Sequence, residues 1–304
     1  MSKYLVTGGA GFIGANLVKR LLADGHEVVV IDNFAGGKYA NRILKGAKYF
    51  KEDIRDLKKL NKICKNNFDG IFHLAALPRV VYSVENPIET HGVNVDGTLN
   101  VLLAARDNKI KKVVFSSSCA VYGDQKEFPV AEKAELRPIS PYALHKMVGE
   151  SYGQLFAKIY GVKTISLRYF NVYGPYFDPN GPYALVIGKF IKQRVSGEPM
   201  TICGDGEYFR DYVHVDDVVS ANLLAMNSQN VGRGEIFNIG SGQSYSVNNL
   251  AKMLGGPTVA VPERPGDIRR VEADISKAKK VLGWQPTITL EQGIAALKKE
   301  WGIK

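Results

Sequence analysis

Tyr142 and Lys146 stand four residues apart in the run Tyr142-Ala-Leu-His-Lys146. On a helix that spacing puts both side chains on one face. An ammonium beside a phenol lowers the phenol pKa from about 10 and makes a tyrosine a usable base near neutrality. Ser140-Pro141 supplies an N-cap residue followed by Pro at the first helical position, which predicts a helix over Pro141–Tyr160 with Tyr142 in its first turn. The same spacing recurs at Tyr122 and Lys126, but Gly123-Asp124 marks a turn, and this match is read as incidental. Upstream, an expected strand Lys112–Ser116 ends in Ser116-Ser-Ser118. Carboxyl ends of parallel strands are where such sheets bind ligands, so a hydroxyl there can relay a proton to Tyr142. The alternative is that the three serines only satisfy backbone groups.

A second chemical signal opens the chain. The expected strand Tyr4–Thr7 runs into Gly8-Gly-Ala-Gly11-Phe-Ile-Gly14, a glycine loop that starts a helix. Glycines there permit a tight turn and close approach of the backbone to a pyrophosphate at the helix N-terminus. Asp32 ends the next strand, 18 residues after Gly14. Its carboxylate accepts from ribose hydroxyls and repels a 2′-phosphate, which favours NAD over NADP; Lys38 is the nearby cation that would favour NADP.

These groups need a scaffold, and the first half of the chain supplies its pattern. Short apolar runs at Tyr4–Thr7, Glu27–Asp32, Lys48–Lys51, Gly70–Ala75, Lys112–Ser116 and Thr164–Tyr169 alternate with amphipathic stretches at Ile13–Ala23, Leu57–Lys65, Glu89–Asp107 and Pro141–Tyr160. Val28-Val-Val-Ile31 is apolar without alternation, as in a strand covered on both faces. The expected fold class is α/β, a doubly wound parallel sheet of Rossmann type with a second, smaller, interleaved α/β substrate domain. Residues 1–171 form the dinucleotide-binding part and 172–304 the remainder. Segments near 211–239 and 268–274, including strands near Asp211–Val215 and Ile236–Ile239, return to the large domain.

Bulk properties exclude several classes. The 304 residues are 45% hydrophobic and 23% charged, near the average for globular proteins. No apolar stretch is long enough for a spanning helix, and the N-terminus reaches glycines too early for a secretory signal, so no membrane and a cytoplasmic location are expected. Cys64, Cys119 and Cys203 are too sparse for a disulfide framework, and neither they nor the five histidines have metal-ligand spacing, so no metal is expected. The formal charge of +10 is read as a lysine-rich surface, because no basic run interleaves with aromatics; no nucleic-acid partner is expected.

Taken together, these pieces resemble the extended short-chain dehydrogenase/reductase superfamily, and within it the UDP-galactose 4-epimerase group. The resemblance covers nearly the whole chain. It includes His73-Leu-Ala-Ala76, Asn94-Val-Asp-Gly-Thr98, Arg168-Tyr-Phe-Asn-Val-Tyr-Gly174, Gly204-Asp-Gly, Arg210-Asp-Tyr-Val-His-Val-Asp-Asp217, Arg264-Pro-Gly-Asp267 and Leu282-Gly-Trp284. The resemblance implies Ser118, Tyr142 and Lys146 as the catalytic set. It implies NAD held by Gly8, Gly11, Phe12, Ile13, Gly14, Asp32, Asn33, Asp53, Ile54, Leu74, Ala75, Ala76, Asn94, Tyr142, Lys146 and Tyr169. A UDP-sugar would meet Ser118, Tyr142, Asn171, Arg210, Arg264, Asp267 and Val271. Guanidinium forks suit a pyrophosphate; the alternative for the two arginines is a surface ion pair, with Asp211 or Asp267. The implied reaction inverts carbon 4 of a UDP-hexose through a transient 4-keto sugar, with hydride passed to NAD and returned.

Val271, just before Glu272-Ala-Asp274, stands where relatives gate the N-acetyl group. Its size implies turnover of UDP-glucose and UDP-galactose with UDP-N-acetylglucosamine tolerated. A homodimer through helices Glu89–Asp107 and Pro141–Tyr160 is also implied. Sister dehydratases carry Asp-Glu, and decarboxylases Glu, just after the active-site hydroxyl. Here Cys119 and Ala120 stand there and cannot transfer protons that way. The readings left beside epimerisation are a uronic acid 4-epimerase, a keto-sugar reductase, the less favoured dehydratase and a non-catalytic NAD sensor on the same fold.

Overall fold

The structure is a computed structural model, and it describes residues 1–37, 40–177, 186–263 and 268–303. The chain forms strands β1 Lys3–Thr7, β2 Glu27–Ile31, β3 Lys48–Phe50, β4 Gly70–His73, β5 Lys112–Ser118, β6 Lys163–Tyr169, β7 Asn171–Tyr173, β8 Met200–Cys203, β9 Phe209–His214, β10 Arg233–Ile239, β11 Ser244–Ser246, β12 Thr258–Val261 and β13 Arg270–Val271. The helices are α1 Phe12–Ala23, α2 Leu57–Cys64, α3 Val80–Glu85, α4 Pro87–His91, α5 Gly97–Asp107, α6 Pro141–Tyr160, α7 Val186–Val195, α8 Val215–Asn227, α9 Val247–Leu254, α10 Ser276–Leu282 and α11 Leu290–Glu300.

Seven strands make one parallel sheet in the order β10-β6-β5-β4-β1-β2-β3. The order reverses between β1 and β4, and such a reversal opens a crevice at the strands' carboxyl ends. The unbroken apolar character of β2 is explained by two buried clusters. Val28 and Val30 face one that includes α1 and α8; Val29 and Ile31 face the other, with residues of α2 and α5. The expected doubly wound sheet is therefore present.

Three local expectations are corrected. The strand near Asp211–Val215 lies at Phe209–His214 and stays out of the large sheet. It pairs with β7, β11 and β13 in a smaller one, which also claims Arg270–Val271. Only β10 returns, beside β6, because β9 already has neighbours at both edges. The helix expected over Glu89–Asp107 is interrupted by a wider π-type turn at Gly92–Asp96 that separates α4 from α5. That turn buries Asn94. Finally, β5 runs two residues further than expected, to Ser118.

Helix α6 spans Pro141–Tyr160, and the Ser140 hydroxyl accepts from the Ala143 N–H at 3.2 Å. The remaining elements gather around a separate apolar core that includes Tyr173, Phe190, Tyr212, Leu250, Ile294 and Leu297. Among the described residues no helix is long and apolar enough to cross a membrane.

Candidate active site

The glycine loop is shaped by contacts that forbid side chains. Gly8 has φ +73°, and a Cβ there would lie 2.6 Å from the Ala75 nitrogen. A Cβ on Gly14 would come within 2.1 Å of the Gly8 carbonyl oxygen. Gly11 opens α1 with no side chain capping the first N–H groups of the helix. Free N–H groups at a bare helix start make an anion site, and the absence of side chains lets a pyrophosphate approach. Phe12 and Ile13 belong to that first turn.

Asp32 sits at the end of β2. Its carboxylate accepts from the Ala10 N–H at 3.0 Å and the Phe34 N–H at 2.8 Å, which leaves lone pairs on both oxygens for ribose hydroxyls. Burial raises its pKa and the two backbone bonds oppose the rise. Asp53 is held differently. Arg55 grips both its oxygens, at 2.9 and 2.8 Å, and Asn33 donates to one at 2.9 Å. Chiefly through Arg55, the carboxyl is held down to about 2. Asn100 donates to the Ile54 and Arg55 carbonyls at 3.2 and 2.9 Å and fixes that loop from α5. The residues so arranged fit a dinucleotide.

The loop Leu74–Leu77 is positioned by a directed chain of hydrogen bonds. The Thr98 hydroxyl donates to the Asn94 carbonyl at 2.7 Å, so towards His73 Nε2, 3.0 Å away, it accepts. His73 Nδ1 is then the acceptor, and Thr7 Oγ1 donates to it at 2.7 Å. Burial, with help from the Lys146 charge, pushes the imidazole down to about 3, so it is neutral. Asn94 spends its amide on Leu77, accepting from the N–H at 2.8 Å and donating to the carbonyl at 3.1 Å. Its structural work is to hold the loop against Gly8.

At the other end, Tyr142 is buried in the first turn of α6 and its N–H donates to the Ser83 hydroxyl of α3 at 3.1 Å. Burial pushes the phenol up to about 12, and the Ser118 hydroxyl that faces it works the other way, so the lowering expected from the Lys146 spacing is overturned by desolvation. Lys146, one turn on, donates from Nζ to the Ser116 carbonyl at 2.6 Å. Its ammonium lies 4.9 Å from the Phe115 ring centre and 5.9 Å from that of Tyr142. Burial pulls the lysine down to about 7, and Glu150 opposes this. The three serines do distinct work: the Ser116 carbonyl binds Lys146, the Ser117 hydroxyl bonds Glu150, and Ser118 faces the phenol. Such a set can take a proton from a hydroxyl and return it. The other tyrosine, Tyr122, donates to Asn238 at 2.6 Å and accepts from Arg168 at 2.8 Å, within the core.

Beyond β6, the Tyr169 hydroxyl exchanges hydrogen bonds with the Asn222 amide of α8, at 3.0 and 2.8 Å. The Asn171 amide donates to the Asp211 carbonyl at 2.9 Å and bridges β7 to β9. Arg210 donates to its neighbour's carbonyl at 2.9 Å and has no carboxylate within ion-pair distance among the described residues. Asp211, its alternative partner, instead points inward to Ser241, Gly242 and Ala273. Val271 lies opposite Arg210 across β13 and β9. Arg264, Asp267 and Lys38 lie outside the described residues. Cys119 and Ala120 follow Ser118 in a short turn ending at Tyr122. Ser83, Arg55 and Asn100 carry no local pattern and were not singled out from the sequence; Thr98 closes a run that was.

Residues 4–240 match the NAD dependent epimerase/dehydratase family. A putative UDP-glucose 4-epimerase of Methanocaldococcus jannaschii is 42% identical, with 95% of each chain covered. The UDP-glucose 4-epimerase of Thermotoga maritima, solved with UDP-glucose, is 40% identical and superposes with a TM-score of 0.92 over 98% of this chain and 99% of that one. A UDP-N-acetylglucosamine 4-epimerase of Methanobrevibacter ruminantium, solved with UDP-N-acetylmuramic acid, gives 37% and 0.91, again over 98% and 99%. With the glycine loop, Asp32 and the Ser–Tyr–Lys set at the carboxyl ends of one parallel sheet, the chain belongs to the NAD-dependent epimerase/dehydratase family of the extended short-chain dehydrogenase/reductases, in its UDP-glucose 4-epimerase group, and is an isomerase that works with NAD.

Proposed function

We propose that this enzyme interconverts the carbon-4 epimers of a UDP-hexose, UDP-glucose and UDP-galactose foremost, and also accepts UDP-N-acetylglucosamine. The observation that carries the reading is the buried Tyr142 phenol with Ser118 facing it and the Lys146 ammonium one turn along. NAD, when bound, supplies a reversible hydride acceptor. Tyr142 takes the proton of the 4-hydroxyl, directly or through Ser118, and returns it to the same oxygen when the 4-keto sugar is reduced again. Lys146 stabilises the phenolate and bonds the nicotinamide ribose. Gly8, Gly11, Phe12, Ile13 and Gly14 hold the pyrophosphate of the dinucleotide, and Asp32 holds a ribose.

In this reading the sugar nucleotide is anchored by its diphosphate to Arg210 and Arg264, with Asn171 and Asp267 alongside, while the hexose turns. That Arg210 has no carboxylate partner among the described residues supports that role, because a guanidinium fork suits a diphosphate. Cys119 and Ala120 beside the site support epimerisation over dehydration, since neither carries the extra acid that elimination needs. Exposed Val80, Val81 and Val84 on α3, Ile88 on α4, and Leu144, Leu155 and Ile159 on α6 support a homodimer formed through this face.

The test is incubation with a panel of UDP-hexoses, resolving products by chromatography. Galactose and glucose forms should equilibrate without added reductant, and heat-denatured enzyme should release NAD(H) in near-stoichiometric amount. No epimer from any UDP-hexose would favour a non-catalytic NAD-binding protein instead. Sizing with light scattering should give twice the chain mass.

A further inference from the structure

Behind the Tyr142–Lys146 pair lies an ion pair cut off from water. Glu150, one turn beyond Lys146 on α6, accepts from Arg168 of β6 at both oxygens, at 2.8 and 2.7 Å. The two side chains are only 2% and 3% exposed. Ser117 also donates to Glu150, at 2.5 Å. The rest of the Arg168 fork bonds the Tyr122 hydroxyl at 2.8 Å and the Glu132 carbonyl at 3.2 Å, and Tyr122 passes on to Asn238. A buried pair of this kind is weak evidence for stability, because well-packed apolar residues commonly serve as well.

Its neighbours suggest another use. Ser117 lies between Ser116, whose carbonyl holds Lys146, and Ser118, which faces Tyr142. Alternation along β5 turns Phe115 and Ser117 towards α6, and a Cβ on Gly149 would lie 2.5 Å from the Phe115 ring, so strand and helix are pressed together at this point. The ionisable groups around Lys146 are few. Tyr142 and Glu150 share its helix, neutral His73 approaches from β4, and Arg168 from β6 sits behind the carboxylate. His145, next in sequence, stacks edge-on against His91 of α4. Glu85, Glu89 and Asp96, on elements adjoining α6, are exposed, and Glu235 of β10 is bound to its own backbone turn.

We propose that Glu150, clamped by Arg168 and Ser117, is a positioning residue whose charge keeps the proton on Lys146 while its bond to Ser117 sets the end of β5. This rests on Tyr142 and Lys146 being the catalytic pair. Glu150 touches neither substrate nor cofactor in this arrangement; it acts through Lys146.

The experiment compares wild type, Ser117→Ala, Glu150→Gln and the double variant Glu150→Gln/Arg168→Met. The double variant removes both buried charges together, so it does not strand a guanidinium if Glu150→Gln fails to fold. Two readouts are taken: kcat and KM against pH, and the lysine titration by NMR on protein carrying labelled lysine. Without the carboxylate, the Lys146 midpoint and the alkaline limb of kcat should both move down by about one pH unit, with KM unchanged. Ser117→Ala keeps the charge and should lower kcat without moving that limb. A folded double variant with the wild-type midpoint and limb would overturn the inference, as would an equal limb shift in Ser117→Ala. No turnover from wild type, together with a lowered Lys146 midpoint in the Glu150 variants, would instead overturn the catalytic reading and leave the charge effect standing.

Discussion

The two ends of the crevice are built by different means. The nucleotide end is made of backbone: Gly8 and Gly14 are shaped by what they lack, and α1 offers bare N–H groups. There His73, Thr98 and Asn94 form a neutral chain that holds loops in place, while Asp32 and the Arg55-gripped Asp53 supply the carboxylates. The end proposed to be catalytic is made of side chains from β5 and α6, in which burial moves the phenol and the ammonium away from their ordinary pKa values. Binding a constant pyrophosphate needs only a fixed surface, whereas moving a proton needs groups whose charge can change. The contrast teaches that a substitution at one end should fail in affinity and one at the other in rate.

Tyr142→Phe gives the largest expected effect. Turnover should fall by about 10²–10⁴-fold while UDP binding by calorimetry stays near wild type, because the lost hydroxyl acts in the transition state. A matching loss of affinity would erase the division between the two ends. Gly14→Ala comes next. Its methyl group meets the Gly8 carbonyl, so the loop must shift; stability should drop by about 1–3 kcal/mol and the purified protein should carry little NAD(H). Full cofactor occupancy in that variant would show that the loop tolerates what its geometry forbids.

Val271→Tyr sharpens the catalytic end at its sugar side. Turnover of the N-acetylated UDP-sugar should fall by about 10-fold or more, with UDP-galactose spared, measured as kcat/KM on both. Equal losses would remove Val271 from the account of specificity. The smallest effect concerns His73. Its folded pKa of about 3 lies below the ordinary value, so as pH falls below about 6.5 the unfolded chain takes up a proton that the fold excludes. Stability is lost through that window, at about 1.4 kcal/mol per pH unit at most. In His73→Asn the acid-side decline in urea-unfolding stability should be shallower by part of that slope; an unchanged slope would assign it to other groups.

Legibility in the sequence followed the same division. The glycine loop, Asp32 and the alternating pattern identified the parallel sheet, because close approach and two-sided burial each leave a local signature. Tyr142 and Lys146 were legible because a helix turns a four-residue spacing into adjacency. Not legible were Ser83 and Asn100, which act across 59 and 45 residues, nor Arg55, whose grip on Asp53 two residues away depends on the conformation of their loop. The strand at Phe209–His214 was found near its expected place but joins the smaller sheet. An apolar run announces that a strand exists and says nothing of which edge is vacant for it.

The order of residues alone determined that this chain folds as a doubly wound sheet with a dinucleotide loop and carries a tyrosine and a lysine on one helix face, because those properties depend on spacing of a few residues and on which side chains are missing. Only the folded arrangement decided that Ser116, Ser117 and Ser118 take three separate partners, that Asp211 turns inward and leaves Arg210 without a carboxylate partner among the described residues, and that Glu150 and Arg168 lie behind Lys146. Charge, burial and pKa are properties of a neighbourhood, and a neighbourhood exists only once distant segments have met.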